Sequence, residues 1–282
     1  MTRSDGVPAW GSATRRLALT LTLAAVAWCA APEIRAQEGT GLCVPAIPCS
    51  DPRGCPDLVV DPDYLARADL VTRTFLSTDC AFLEGDVKGT GDRRLLRFDT
   101  VTPNLGPGAL VIGKPRQHRD WFDFRTCHNH PHLKKYATNR LWTPKGYKSW
   151  TDLRAANPDA CAPDLLASHP ELLAELLSGE KHAFCVVDVL PPAGFPTIPC
   201  PFPAGPRTFD SCIDNQGISV CWADGYEKEL DGQWVDVTDT PDGSYVLEVE
   251  VNAERFIEEA DYHNNSAALD VRITNGSLDV KP

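Results

Sequence analysis

The cysteines restrict what this chain can fold into more than any other feature of its sequence. Eleven cysteines occur in 282 residues, and Cys29 lies in a leading segment, residues 1–36, that has the pattern of a secretory signal peptide. There an apolar run, Leu17–Ala27, follows two arginines and is too short to cross a bilayer, and Ala36 is a small residue at a plausible cleavage point. Its removal would leave ten cysteines and no Cys-x-x-Cys pair. We therefore expect a secreted or periplasmic domain linked by disulfides, rather than thiolate metal sites.

The charge of the chain narrows the range of its partners. The formal net charge is −12, and loss of residues 1–36, which hold four arginines and two acidic residues, would make it more acidic still. Such a chain is unsuited to nucleic acid, because phosphate binding requires basic patches. It is compatible with cationic substrates such as amines. No later segment is apolar enough to predict a membrane span.

The hydrophobic pattern predicts a mainly β fold. Gln233–Thr238 and Tyr245–Val251 alternate apolar and polar residues, and Pro241-Asp242-Gly243 forms a turn between them. Alternation with one apolar face is typical of half-buried antiparallel strands. Other runs with β character are Leu95–Phe98, Ala109–Ile112, His182–Val189 and Ala268–Ile273. We predict an antiparallel β-sandwich-like core with long, disulfide-stapled loops.

One or two short helices are expected to interrupt this framework between residues 143 and 180. Ser149–Ala156 could form a short helix, and Pro170–Leu177 is a better candidate, with Gly179 as its stop.

The composition also suggests domain limits. Residues 37–57 are rich in cysteine and proline and read as an N-terminal arm, residues 58–275 as the main domain, and residues 276–282 as a frayed tail.

The run Cys127-His128-Asn129-His130-Pro131-His132 carries three histidines at alternate positions. In an extended strand, such residues share one face, so three imidazoles would converge. Imidazole suits copper, zinc, iron and nickel, and three ligands are enough for a catalytic site with an open position. The alternative is an exposed histidine-rich turn, because proline is poorly tolerated within a central strand.

The order of these segments resembles the catalytic domain of the lysyl oxidase family. That family carries a Cys-His-x-His-x-His copper motif, matched here at Cys127–His132. The other matching segments, in chain order, are Pro56–Pro62, Leu95–Phe98, Asn104–Gly106, Trp121–Phe124, Lys181–Cys185, Tyr226 ahead of Gln233-Trp234, Pro241–Asn252 and Asp261–Asn265. The resemblance covers roughly residues 56 to 273, with an insertion around 143–178.

The resemblance implies a set of roles. His128, His130 and His132 would ligate Cu(II), and Lys181 would join the oxidised ring of Tyr226 as lysine tyrosylquinone. The implied activity is a copper amine oxidase that converts primary amines, with peptidyl lysine as one candidate, to aldehydes with O₂, releasing H₂O₂ and ammonia. The chemistry is reasonable, because a quinone is an electrophile and a neutral lysine amine is a nucleophile, which burial favours.

The chain departs from the family pattern at two positions. Arg125 stands where the family usually has a histidine. Gly232 stands where it has a cysteine, so Cys221 lacks its usual partner. The resemblance pairs the other cysteines as Cys127–Cys212 and Cys185–Cys200.

Several alternatives stay open on the sequence alone. Taken singly, Lys181 would be a solvated lysine and Tyr226 a surface tyrosine. Asp188 and Asp224 are both conceivable bases. The chain could instead be an exported β-sandwich adhesion or binding module, which the segment from Gly243 to Asn265 also resembles, or a copper- or zinc-binding protein without oxidase activity.

Overall fold

The computed structural model describes residues 43–124, 127, 130–179, 184–194 and 198–281. The predicted signal peptide, residues 1–36, lies outside the described residues, and so do His128, Arg125 and Lys181.

Antiparallel strands make up most of the regular structure. The strands are β1 (Asp69–Phe75), β2 (Gly91–Arg97), β3 (Thr100–Pro103), β4 (Leu110–Gly113), β5 (Phe122–Asp123), β6 (His132–Leu133), β7 (Ala137–Trp142), β8 (Leu176–Gly179), β9 (Gln216–Ile218), β10 (Ala223–Tyr226), β11 (Trp234–Asp236), β12 (Gly243–Val251), β13 (Ser266–Thr274) and β14 (Ser277–Lys281). The α-helices are α1 (Pro62–Leu65), α2 (Cys80–Leu83), α3 (Pro144–Ala156) and α4 (Ala162–Ser168). This confirms the predicted mainly β, antiparallel fold with long loops and disulfides.

The largest sheet has five strands in the order β14-β13-β12-β7-β8, and every neighbouring pair is antiparallel. A second sheet has the order β1-β2-β11. Three two-stranded ladders, β3–β10, β4–β9 and β5–β6, complete the described strands. One large apolar core contains side chains from most of these strands, including Leu96, Leu133 and Leu247, together with Phe184 from a loop.

The predicted turn at residues 241–243 precedes β12, but β12 is not half-buried as its alternation suggested. The polar residues Glu248 and Glu250 are buried as well as the apolar ones. Helix α3 covers this second face, and its Trp150 donates a hydrogen bond from Nε1 to Glu248 at 3.0 Å. Arg140, also buried, donates to both carboxylates, at 3.2 Å and 2.6 Å. The insertion thus buries a polar face of the sheet, where the glutamate carboxylates are paired with Arg140.

The insertion itself differs in detail from the prediction. Helix α3 begins five residues before Ser149, because the side chain of Thr143 caps it by accepting from the backbone N–H of Gly146 at 3.0 Å. Pro170–Glu175 is a 3₁₀ helix rather than part of an α-helix, and the chain then enters β8. Of the leucines in the predicted helix Pro170–Leu177, Leu176 and Leu177 therefore belong to a strand.

Two further expectations were wrong. The described part of His182–Val189 forms no regular strand, and only Leu190, just beyond it, makes a β-bridge, with Ala223. The segment predicted as a frayed tail contains β14, which pairs with β13 through five residue pairs. A turn with Asn275 and Gly276 at positive φ allows this hairpin.

All ten cysteines of the described residues are paired. The bonds are Cys43–Cys161, Cys49–Cys55, Cys80–Cys127, Cys185–Cys212 and Cys200–Cys221. The predicted pairs Cys127–Cys212 and Cys185–Cys200 are therefore wrong. Residue 232 is not a cysteine, and Cys221 bonds to Cys200 instead. Cys185 then pairs with Cys212, and Cys127 pairs with Cys80. The framework agrees with the expectation of an even, fully oxidised set.

Candidate functional site

The histidine motif lies beside a short two-stranded ladder. In it, β5 pairs with β6 so that Asp123 lies opposite His132 and Phe122 opposite Leu133. His132 is fully buried, and the ring centroids of His130 and His132 are 4.8 Å apart. Strand β6 begins only at His132, so an extended strand is found for the last histidine and not for His130. The two described rings nevertheless lie together, as the alternation predicted.

A backbone connection links this ladder to Tyr226. The N–H of Leu133 donates to the carbonyl of Phe184 at 2.8 Å. The next carbonyl in the chain, that of Cys185, accepts from the phenol Oη of Tyr226, also at 2.8 Å. One pair of consecutive residues therefore contacts the histidine strand on one side and Tyr226 on the other. Lys181 lies outside the described residues, three positions before Phe184 in the sequence.

Gln216 holds these segments together, and no sequence signal pointed to it. Its buried side-chain carbonyl accepts from the N–H of Val186 at 3.1 Å. Its amide nitrogen donates to the carbonyls of Cys212 at 2.8 Å and Pro131 at 3.4 Å. Because one amide bridges the segments that contain the Cys185–Cys212 disulfide and the histidines, this contact explains why Cys185 meets Cys212.

The ring of Tyr226 lies among aromatic side chains rather than on the open surface. It meets Phe184 edge-on with ring centroids 5.2 Å apart, and Phe184 in turn packs on Tyr136 at 5.1 Å. The hydroxyl of Tyr136 shares a hydrogen bond with that of Thr102. Part of the Tyr226 side chain is accessible, but its phenol oxygen is enclosed. Burial, followed by the nearby Asp224 carboxylate, raises the pKa of Tyr226 well above the usual 10.0.

The two candidate bases occupy different environments. Asp188 is buried and accepts four hydrogen bonds, from the N–H groups of Thr208, Phe209 and Ser219 and from the Ser219 hydroxyl. It thereby links its own segment to residues 208–209 and to Ser219, which directly follows β9. Asp224, also buried, precedes Tyr226 by two residues on β10 and raises the pKa of Tyr226. Of the two carboxylates, Asp224 is the one at the phenol.

A surface cavity of about 360 Å³ borders β10. Apolar residues, among them Val101 and Leu190, and charged residues, among them Asp99 and Glu227, line it. Strand alternation turns Gly225 toward the same face as Val101, its partner in the ladder, and turns Tyr226 to the other face. Phe184 and Cys185, which contact the phenol, are not among the lining residues. Tyr226 itself lines the cavity, which therefore reaches this residue without reaching the two residues that contact its phenol.

The described chain is thus a disulfide-linked antiparallel β domain in which two histidines and an enclosed tyrosine converge on one segment. Residues 164–281 match the lysyl oxidase family model. The chain is 29% identical over 232 residues to Protein-lysine 6-oxidase of Gallus gallus, which covers 78% of this chain and 46% of the relative. It is 28% identical over 231 residues to Protein-lysine 6-oxidase of Homo sapiens, again covering 78% and 46%. Lysyl oxidase homolog 4 of Homo sapiens is 28% identical over 242 residues, covering 82% of this chain and 27% of the relative.

The chain is therefore similar to members of the lysyl oxidase family over most of its length. It spans about half the length of the first two of these relatives and about a quarter of the third. No helix among the described residues is long and apolar enough to cross a membrane.

Proposed function

We propose that the chain is an exported, copper-dependent amine oxidase that uses a lysine tyrosylquinone formed from Lys181 and Tyr226. The observation that carries this proposal is the double contact of Phe184 and Cys185, with the histidine strand and with the Tyr226 phenol. A copper ion must lie near a tyrosine ring to oxidise it. The contacts of Phe184 and Cys185 support such proximity between segments that are about a hundred positions apart in sequence.

The donors of the motif suit copper. His130 and His132 have ring centroids 4.8 Å apart, a separation at which both rings can reach one ion through bonds of about 2 Å. Neutral imidazoles are ligands that Cu(II) favours, and copper binds such sites more tightly than zinc. His128 would complete the set. The similarity to the family supports this assignment, and the resemblance in sequence implies that Tyr226 corresponds to the family's cofactor tyrosine.

Each group of the proposed site would have its own chemical role. Copper would supply one-electron chemistry with O₂, and the quinone an electrophilic carbonyl that takes two electrons from the amine. Lys181 would provide the nitrogen that attaches to the ring. Cys185 orients the Tyr226 phenol through its carbonyl. Phe184 and Tyr136 enclose the ring and limit the access of water.

The net reaction balances without any further reactant. One primary amine, one O₂ and one water give one aldehyde, one ammonia and one H₂O₂. An acidic chain of net charge −12 is suited to attract an ammonium substrate by long-range electrostatics. The substrate is therefore proposed to be a primary amine, with peptidyl lysine as one candidate. The paired cysteines support a secreted or periplasmic location.

Peptide mapping after aerobic copper loading tests the proposal. We expect a covalent Lys181–Tyr226 peptide and a quinone absorption band in the wild-type protein, and neither in Tyr226→Phe. Tyr245→Phe is the matched control, because Tyr245 is a tyrosine in β12 whose hydroxyl donates to the Pro241 carbonyl, and it should keep both signals.

The two competing functions predict different results. A protein that binds copper at full stoichiometry but forms no cross-link would be a copper-binding protein without oxidase activity. A protein with neither bound copper nor a cross-link would favour the adhesion or binding module. Either outcome would refute the amine oxidase proposal.

A further inference from the structure

Asp224 is a buried carboxylate at the side of Tyr226, and the family comparison assigns it no role. Only 1% of its surface is accessible. In the β3–β10 ladder, Asp224 lies opposite Thr102 and Tyr226 opposite Thr100. Residues two apart on a strand share a face, as do residues directly opposite each other in a ladder. The carboxylate, the phenol and the two threonine side chains therefore lie on one inner face.

The phenol of Tyr136 also contacts this inner face of the β3–β10 ladder. The Tyr136 hydroxyl shares a hydrogen bond with that of Thr102, the residue opposite Asp224. Asp224 raises the pKa of both Tyr136 and Tyr226, after the larger effect of burial in each case. Glu259 adds a smaller effect on Tyr136, and the Val187 N–H lies 3.4 Å from the Asp224 carboxylate. Tyr136, Tyr226 and the Val187 N–H are thus described groups that interact with Asp224.

Tyr226 needs a proton acceptor if it is to become a cofactor. Its phenol is enclosed and donates to the Cys185 carbonyl, which cannot take up a proton at neutral pH. A neutral phenol is much harder to oxidise than a phenolate. Burial makes it costly to form the phenolate by releasing the proton to bulk water, so the proton needs a base beside the ring. Asp188 cannot serve, because its oxygens already accept four hydrogen bonds, from Thr208, Phe209 and Ser219.

We propose that Asp224 is the base that receives the phenol proton of Tyr226 while the cofactor is made. In this step the Tyr226 O–H bond breaks, the proton moves to a carboxylate oxygen of Asp224, and the electron pair stays on the phenol oxygen. The step itself needs no oxidant. Electrons leave the ring afterwards, to copper and O₂ as in the proposed function, on which this inference rests.

The test measures the rate of Lys181–Tyr226 cross-link formation by quantitative peptide mapping, on the full protein after copper loading. At neutral pH we expect Asp224→Asn to form the cross-link about 100-fold more slowly, or slower still, since a placed base contributes about 10²–10⁴. Asp224→Glu keeps a carboxylate and should recover part of the rate. The matched control is Asp236→Asn, which changes a buried aspartate on β11 and should keep the wild-type rate.

The pH dependence distinguishes a proton acceptor from a purely structural residue. In Asp224→Asn the defect should shrink as pH rises, because solvent base takes over and the phenol has lost the carboxylate that opposed its ionisation. Thermal unfolding and copper stoichiometry of each variant report whether the fold and the metal site survive.

Two outcomes would overturn the inference. One is a wild-type rate in Asp224→Asn. The other is a slow rate that is the same at every pH and is not improved by Asp224→Glu. Failure of the proposed function looks different, because the wild-type protein itself would then form no cross-link.

Discussion

Gln216 offers the sharpest test of how the site is assembled. Replacing it with methionine keeps the length and much of the volume of the side chain but removes its polar atoms. The Val186 N–H loses its acceptor at 3.1 Å, and the carbonyls of Cys212 and Pro131 lose a donor at 2.8 Å and 3.4 Å. The site is fully buried, so solvent cannot replace these contacts without a rearrangement.

The expected size of the effect follows from the two shorter bonds. A buried polar group left without its partner costs about 1–3 kcal/mol, so two give a loss of about 2–6 kcal/mol in the free energy of unfolding. For a domain of this size, that corresponds to a fall of about 4–24 °C in Tm. Because Pro131 directly precedes His132, copper affinity should fall as well.

The measurement is urea or thermal unfolding with the disulfides intact, together with a copper titration. Gln117→Met is the matched control, since Gln117 is exposed and the same substitution there should change stability by less than about 0.5 kcal/mol. If Gln216→Met were as stable as the control and bound copper equally well, the amide would not hold the segments together as argued here.

Three further predictions concern the framework. Glu248→Ala should lower the free energy of unfolding by about 3–5 kcal/mol, because it breaks a buried ion pair, whereas Asp152→Asn, which breaks an exposed pair, should cost less than about 0.5 kcal/mol in the same denaturation assay. Gly217→Ala should reduce the yield of folded protein and its Tm, because a Cβ there would collide with the Leu110 backbone carbonyl; an unchanged Tm would contradict this. Burial acts to raise the pKa of Asp236, but hydrogen bonds from Thr238 and neighbouring donors prevail, so its folded pKa lies below the usual 3.8. Its contribution to stability is therefore complete above that ordinary value and is lost as pH falls through the lowered pKa, and Asp236→Asn should show a smaller loss of stability between neutral pH and about pH 3 than the wild type.

Local patterns were read correctly where neighbouring residues decide the structure. The alternation of Tyr245–Val251 and the turn at residues 241–243 predict β12 and its start, because strand period and turn chemistry are local properties. The same alternation could not show that Glu248 and Glu250 are buried. That depends on α3, whose Trp150 contacts Glu248 from about a hundred residues away.

The pairing of the cysteines shows the same limit. An even number of cysteines in an exported chain predicts disulfides, but the partners depend on which loops meet. Here Gln216 brings the Val186 segment to Cys212, and Cys221 bonds to Cys200, so both pairs carried over by resemblance were wrong.

The sequence by itself determined the chemical types available to this protein: histidines at alternate positions, a lysine and a tyrosine in a family order, an even set of cysteines and an acidic surface. Its local patterns also determined most strands and the resemblance to the family. Only the tertiary structure decided that Leu133 and Tyr226 contact consecutive carbonyls, that Asp224 faces the phenol while Asp188 supports a loop, and that a surface cavity reaches Tyr226. The physical reason is that side-chain type and strand period are carried by neighbouring residues. Burial, pKa and contact depend on segments that the chain brings together only after it folds.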